Sequence, residues 1–368
     1  MKKILLFSNT SWSLYNFRKN LIIELVKSKN EVVIISKQDY TTTKLKKIGC
    51  KFYNLSLERR GDNILNELLS LYKVYKLIKL IKPNILFNFT IKPIVYGSFI
   101  SRILEIKTLN TLDGLGASLK LNFIKKIILL NFLRVSQKKV SKFFFVNLHD
   151  KNFFLQKKIL EKKNIKLING TGIDLDFFKF KKNSIKNKIK FLLISRLIFS
   201  KGVMNYLNAI LKLPDKYKKV SSFSIVGLTD KNLKDSIPKK ILESYAKKSN
   251  TKIKYDLKNI KSSIYNSNCI VLPTYYNEGL PRTLLEAASI GRPIITTNIS
   301  GCKRIAKNNK NAFIYSIKKP DHLKKQIINF ILLKNNKKIE MSRKSREIAK
   351  KFDEKKIITL YINFVNER

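Results

Sequence analysis

Carboxylates, histidine and cysteine are all scarce in this 368-residue chain: 25 Asp and Glu stand against 76 Lys and Arg, with two histidines and three cysteines. Two histidines, His149 and His322, argue against a histidine-built metal site. Cys50, Cys269 and Cys302 lie far apart, show no Cys-x-x-Cys spacing and leave one over in any pairing. That excludes a structural zinc cluster and points to a reducing compartment. No window holds the roughly 18 consecutive apolar residues of a spanning helix. The N-terminal run Ile4 to Phe7 stops at Ser8, so it reads as a first strand and not as a signal peptide. The expectation is a protein that is soluble or bound to a membrane surface.

Lysine dominates what is present. The formal net charge is +51 and the pI is near 10.2. Whatever its origin, that charge favours anionic partners, and each basic residue close to an anionic leaflet contributes about 1 kcal/mol. The lysines are spread through both halves without a helix-turn-helix signature, zinc finger or paired-aromatic RNA motif, so nucleic acid is not an expected partner. A hydrophobic content of 44% marks a globular chain, long enough for two domains with separate cores.

Short apolar runs alternate with amphipathic segments. Ile4–Phe7, Val32–Ile35, Phe52–Leu55, Ile85–Phe89, a run near Leu109, Phe143–Val146 and Ile165–Ile168 read as strands, separated by helical patterns such as Leu14–Lys27. In a longer helix Leu65, Leu68, Leu69, Tyr72, Tyr75 and Ile78 recur at steps of three or four, with Lys73, Lys76 and Lys79 largely on the other side. The alternation restarts at Ile189–Ile194 and includes Phe223–Val226 before Gly227, and Cys269–Leu272. Strands separated by helices of this length predict an α/β protein with mostly parallel, doubly wound sheets. The turn-rich, aperiodic stretch 173–188 reads as a linker between a domain over 1–172 and a second over 189–351.

The most informative stretch runs from Cys269 to Ala287. The strand leads through Pro273-Thr274-Tyr275-Tyr276 into Asn277-Glu278-Gly279-Leu280-Pro281, and the helix that follows carries Glu286, eight residues after Glu278. Pro281 fits a first helical position, and neither Gly279 nor Leu280 offers a side-chain oxygen to cap the first backbone N–H groups. Those donors suit an anion such as a sugar diphosphate. Pro293–Thr297 reads as the next strand, so the acidic turn lies beyond the carboxyl end of a strand in a βαβ unit, where open α/β sheets bind ligands.

This pattern resembles the retaining GT-B glycosyltransferases of family 4, whose donor site sets a Glu, seven residues and a second Glu within a Pro-Ser/Thr-Tyr…Glu-Gly-Leu-Pro…Glu-Ala frame, here Pro273 to Ala287. Ile194-Ser195-Arg196-Leu197 followed by Lys201-Gly202-Val203 is similar to that family's Arg-Leu…Lys-Gly diphosphate clamp. Within the family the chain looks closest to bacterial enzymes that extend undecaprenyl-diphosphate-linked saccharides. The resemblance implies a GT-B fold: two Rossmann-like domains facing a cleft, with a C-terminal helix in 352–368 crossing back to the first. It implies a UDP-sugar donor held by Arg196, Lys201, Gly227, Glu278, Gly279, Leu280, Pro281 and Glu286, with no metal and no other cofactor. Arg196 and Lys201 would stabilise the departing diphosphate, Glu286 would accept from the ribose hydroxyls, and Glu278 would meet the donor sugar near the reacting centre. Retention on one face of the sugar would need no enzymic nucleophile.

For the acceptor, Thr111-Leu112-Asp113-Gly114-Leu115-Gly116 follows a strand and places a carboxylate in a glycine-containing loop. Relatives carry His or an acidic residue there, so the resemblance implies that Asp113, beside Gly114, orients or deprotonates the acceptor hydroxyl; a plain Asp-Gly turn is the alternative. Lys92, in Thr90-Ile91-Lys92-Pro93, is placed to meet a lipid diphosphate. The sequence departs from the family in the loop Asn9–Ser13, which lacks a glycine, and at Arg304, where relatives usually have Glu. The segment Leu121–Val135, with Lys125, Lys126 and Arg134, has the composition of a surface-lying membrane helix and equally of an amphipathic core helix.

The resulting expectation is a glycosyltransferase that moves an N-acetylhexosamine or hexose from a UDP-sugar to a polyprenyl-diphosphate-linked saccharide. It would work in the cytoplasm, peripheral to the anionic inner face of the bacterial cytoplasmic membrane. The alternatives are a UDP-N-acetylglucosamine 2-epimerase of the same fold and a non-catalytic protein that binds anionic surfaces.

Overall fold

A computed structural model describes residues 1–57, 64–115, 123–185, 187–229, 235–257, 259–276, 279–319 and 321–367. The chain divides into two compact units, Met1–Gly172 with Lys355–Arg368 and Ile173–Glu354. The first is built on strands β1 (Lys3–Thr10), β2 (Glu31–Lys37), β3 (Lys51–Asn54), β4 (Ile85–Phe89), β5 (Lys107–Leu112), β6 (Lys142–Phe145) and β7 (Ile165–Leu167). They form one sheet in the order β3-β2-β1-β4-β5-β6-β7, with every neighbouring pair parallel. The second holds β8 (Ile189–Arg196), β9 (Ser221–Leu228), β10 (Thr251–Tyr255), β11 (Cys269–Leu272), β12 (Ile294–Thr297) and β13 (Ala312–Tyr315). Their order is β10-β9-β8-β11-β12-β13, again all parallel.

Helices cover both faces of each sheet, which is why the central strands read as unbroken apolar runs. Along β8 the side chains alternate between two cores: Phe191 and Leu193 pack with Tyr206 and Phe330, while Leu192 and Ile194 pack with Leu284 and Ala288. Two strands have no counterpart in the sequence reading, β10 and β13. Both are sheet edges, and the lysines of Thr-Lys-Ile-Lys-Tyr in β10 interrupt any apolar run.

Reversal of strand order places the switch point between β1 and β4 in the first unit and between β8 and β11 in the second. Loops leaving the carboxyl ends of these strands are where ligands of such sheets bind.

The C-terminal helix Glu354–Asn366 packs on the first unit. Tyr361 lies edge-on to Phe87 at 5.4 Å and to Phe144 at 5.3 Å, and its hydroxyl meets Thr111 Oγ1 at 2.6 Å. Residues 173–185 belong to the packing of the second unit. Phe178 is buried there, and the Arg346 guanidinium donates to the carbonyls of Phe178, Ser289 and Leu175.

The helix Ile64–Ile81 departs from the inward apolar stripe expected of it. Val74, Ile78 and Ile81 are buried, but Leu65, Leu68, Leu69 and Tyr72 are each more than half exposed. The stripe turns inward only in the second half of the helix. Among the described residues no helix is long and apolar enough to cross a membrane.

Candidate active site

In the second unit, two loops at the switch point are bonded to each other. β8 ends at Arg196, and after a short 3-10 turn over Phe199–Lys201 the chain enters the helix Val203–Leu211. The Ser200 carbonyl accepts from the backbone N–H groups of Tyr275 (2.9 Å) and Tyr276 (3.0 Å), which follow β11. Ser200 is held from the other side by Asp235, whose carboxylate accepts from its N–H at 3.1 Å and from its hydroxyl.

Gly202 is required here. Its φ is +73°, and a Cβ would stand 2.0 Å from the Pro273 carbonyl oxygen. Gly227, at the end of β9, lets Leu197 pack flat on the backbone, since a Cβ there would stand 2.4 Å from the Leu197 side chain.

This scaffold brings the two predicted cations together. Both lie over the ring of Tyr276, Lys201 Nζ at 4.9 Å and the Arg196 guanidinium carbon at 5.6 Å from its centroid. Tyr276 follows the Pro273-Thr274-Tyr275 motif and had no role of its own in the sequence reading; its place as a platform comes from the loop pairing.

Asn277 and Glu278 lie outside the described residues, so the expected sugar contact of Glu278 rests on the sequence. Beyond them Gly279 and Leu280 are half-buried, and Leu280 packs against the second core. Pro281 is the N-cap of the helix Arg282–Ile290, with φ −64° and ψ 110°, and not its first helical residue. Its carbonyl accepts from Leu284 (3.1 Å) and Leu285 (3.2 Å), and Pro281 itself makes no side-chain capping bond. The extended ψ explains the shift, because a helical ψ would begin the helix one residue earlier.

Glu286 sits just over one turn into that helix and is only 7% exposed. Arg282 Nε donates to its Oε1 at 3.1 Å, an i,i+4 pair that the spacing allowed and the sequence reading missed. Burial raises the carboxyl pKa above its ordinary value, and Arg282 offsets only part of that. The site therefore holds a carboxylate at a cost in stability, as functional sites often do.

The first unit gathers the acceptor candidates at its own carboxyl edge. Asp113, which follows β5, pairs with Arg18 Nη2 at 3.1 Å. Arg18 is only 4% exposed, and its guanidinium stacks on Phe89 at 4.8 Å. Sequence reasoning did not select it, although it shares a helical face with Leu14, Leu21, Ile22 and Leu25, where a charge is out of place.

Gly114 leads into Leu115, whose N–H donates to the buried carboxylate of Asp150 at 3.1 Å. Lys92, at the start of the helix Ile91–Ile103, pairs with Glu67. Immediately before that helix Thr90 has φ 72° and ψ 159°, a region that costs about 1–3 kcal/mol for a residue with a Cβ. Its Oγ1 and the Oδ1 of Asn9 are buried without hydrogen-bond partners. Both follow strands at the switch point, Asn9 within the end of β1 and Thr90 after β4. Strain and unmet polar atoms thus coincide at the switch point of the first sheet. Arg304, singled out in the sequence as a departure from the family pattern, is partly buried near the Phe352 ring, and nothing in the structure explains that departure.

Two doubly wound parallel sheets of this order, with the terminal helix returned to the first, define the GT-B class of glycosyltransferases. Residues 174–352 match the family of glycosyl transferases group 1 and residues 3–147 the glycosyl transferase 4-like family, so the chain is a glycosyltransferase carrying both domains.

Among its relatives is the N,N'-diacetylbacillosaminyl-diphospho-undecaprenol alpha-1,3-N-acetylgalactosaminyltransferase of Campylobacter jejuni, 26% identical with 96% of each chain covered. An uncharacterised glycosyltransferase of Methanocaldococcus jannaschii is 27% identical over 57% of this chain and 54% of its own length. Of solved structures, Anabaena HepE in complex with UDP and glucose superposes with a TM-score of 0.79 at 15% identity, covering all of both chains. A glycosyltransferase from Rickettsia africae superposes with a TM-score of 0.75 at 17% identity, over 100% of this chain and 99% of that one.

Proposed function

We propose that this glycosyltransferase moves a sugar, an N-acetylhexosamine or hexose, from a UDP-sugar to a polyprenyl-diphosphate-linked saccharide, with retention of anomeric configuration. The observation that carries the reading is the meeting of Arg196 and Lys201 over Tyr276, in two loops that the Ser200 carbonyl ties together. Two cations held together over one ring suit a diphosphate leaving group. The C. jejuni relative acts on a diphospho-undecaprenol substrate and the Anabaena structure holds UDP, which supports the choice of acceptor and donor.

In the proposed step the bond between the anomeric carbon and the diphosphate oxygen breaks while the acceptor oxygen forms a bond on the same face. The acceptor proton passes to the departing phosphate. Arg196 and Lys201 neutralise the developing charge, so that no metal ion is needed for it. Removal of one such electrostatic donor costs about 10²–10³ in kcat in comparable sites. Glu286 receives the ribose hydroxyls, and Asp113, fixed by Arg18, orients the acceptor hydroxyl while Lys92 meets the lipid diphosphate.

The protein works at an anionic membrane surface. Supporting this are the exposed Leu65, Leu68, Leu69 and Tyr72 along one helix, with exposed Lys73, Lys76 and Lys79 beside them. This pattern suits a helix that lies in the lipid headgroup region. In the other candidate segment, Ile127 and Ile128 are exposed and Lys126 is half-buried.

The test is incubation with a panel of UDP-sugars and lipid-linked acceptors, in chelator. Acceptor-dependent UDP release, with a lipid product heavier by one sugar and of unchanged anomeric configuration, is the expected result. Inversion at C2 without acceptor would replace transfer by epimerisation, and absence of nucleotide binding would leave only an anionic-surface binder.

A further inference from the structure

The second sheet has another basic site at the end opposite Arg196. A cavity of about 500 Å³ opens at the amino edge of β8, β9, β11 and β12. Lys181, Lys182, Lys188, Lys190 and Arg292 line it, and none of the described residues lining it is acidic. Lysines alone would mean little in a chain of net charge +51. Arg292 is different.

Arg292 lies between Gly291 and Pro293 in the turn that feeds β12, and it is 1% exposed. Its Nη2 reaches the Tyr265 carbonyl only at 3.4 Å, and its Nε is buried with no hydrogen-bond partner. Its backbone is fixed: the N–H donates to Ala287 at 2.7 Å and the carbonyl accepts from Ser345 Oγ at 3.0 Å. Burial lowers its pKa to about 10, with no carboxylate contributing, so the group stays charged at neutral pH. A buried guanidinium without an anion is costly, and arginine is the side chain best shaped to bind phosphate in such a place.

The rim is preorganised. Asn183 and Asn268 exchange amide hydrogen bonds, and Asn268 Oδ1 accepts from the Lys190 N–H at 2.9 Å. These bonds fasten Asn183 and the Lys190 backbone, on the cavity rim, to the residue before β11.

We infer that this cavity is a second anion site, separate from the nucleotide loops, which takes a phosphate-bearing ligand, with Arg292 as its buried anchor. The group could arrive as a soluble phosphate or as the headgroup of an anionic phospholipid, since the cavity reads the phosphate alone.

The test uses the full chain with Arg196→Ala and Lys201→Ala, so that the nucleotide loops do not mask the result. Calorimetric titration with inorganic pyrophosphate is expected to show one binding equivalent and a pyrophosphate-dependent rise in Tm. Adding Arg292→Leu is expected to weaken that binding by about tenfold or more, the scale of a lost charge-assisted hydrogen bond. In anion-free buffer Arg292→Leu is expected to melt no lower than its parent, because it removes an unpaired buried charge. Lys182→Glu with Lys188→Glu, both exposed and remote from the core, gives the same loss and decides the matter if Arg292→Leu does not fold.

Pyrophosphate binding that is absent, or unchanged in both variants, overturns the inference. Vesicles of phosphatidylglycerol, compared with phosphatidylcholine, identify the source. Sedimentation that pyrophosphate displaces and the charge-reversed variant loses assigns a lipid headgroup. Sedimentation unaffected by either, alongside lost pyrophosphate binding, assigns a soluble ligand.

Discussion

Replacing Glu286 with Gln should move stability and ligand affinity in opposite directions. Burial raises the Glu286 pKa above its reference of 4.5, with Arg282 opposing the rise. The folded state therefore holds the proton more tightly than the unfolded chain, so stability falls as pH rises from the unfolded pKa through the folded one. Glutamine keeps the shape and removes the buried charge. Arg282, whose side chain is 26% exposed, keeps contact with water whether or not Glu286 pairs with it.

The variant should therefore melt higher than the parent at pH 7.5, with the difference vanishing below about pH 4, where both side chains are neutral. UDP binding should weaken. A hydrogen bond to a charged group contributes about 1.5–3 kcal/mol, so loss of the carboxylate's grip on the ribose amounts to about 10- to 100-fold in Kd. Thermal unfolding between pH 4 and 8 and calorimetric titration with UDP measure both quantities. A variant that melts lower at pH 7.5, or binds UDP unchanged, would refute the reasoning, because either result makes Glu286 a structural ion-pair partner.

Three further outcomes follow from contacts described above. Gly202→Ala combines a left-handed φ with a Cβ 2.0 Å from the Pro273 carbonyl, so it should lower unfolding stability by at least about 2 kcal/mol in a denaturant titration and separate the two loops. Arg18→Met removes the pair with Asp113 while keeping the apolar stem against Phe89; it should raise the KM for the acceptor about tenfold and leave UDP affinity unchanged, as read from initial rates and titration. Leu68→Ser with Leu69→Ser should lower partition onto anionic vesicles by at least about tenfold, from a loss of about 1.5–3 kcal/mol per inserted leucine, and leave UDP binding intact.

The parallel architecture was legible because both faces of each central strand are buried, so Ile85–Phe89 and Cys269–Leu272 read as apolar runs with no competing helical period. The edge strand β10 was not, because its two outward lysines break the apolar run that marks the central strands and leave only a five-residue alternation. The helix Ile64–Ile81 shows the limit of periodicity: spacing gives the apolar face but not whether anything covers it.

At the loops after β8 and β11, Arg196 and Lys201 could be selected from motif spacing, while Tyr276 and Asp235 could not. Their placement depends on loops pairing across distant segments of chain. Arg18 and Arg292 carried a usable signal, a cation where neighbours on the same helix or turn are buried, but its meaning required knowing what surrounds each guanidinium.

A crystal structure of the protein with UDP tests the central claim most directly. The account predicts the diphosphate against the Arg196 guanidinium and the Lys201 ammonium, its oxygens facing the backbone N–H groups before Arg282, with the ribose hydroxyls on Glu286. UDP bound elsewhere, or bound here with neither cation within hydrogen-bonding distance of the phosphates, would contradict it.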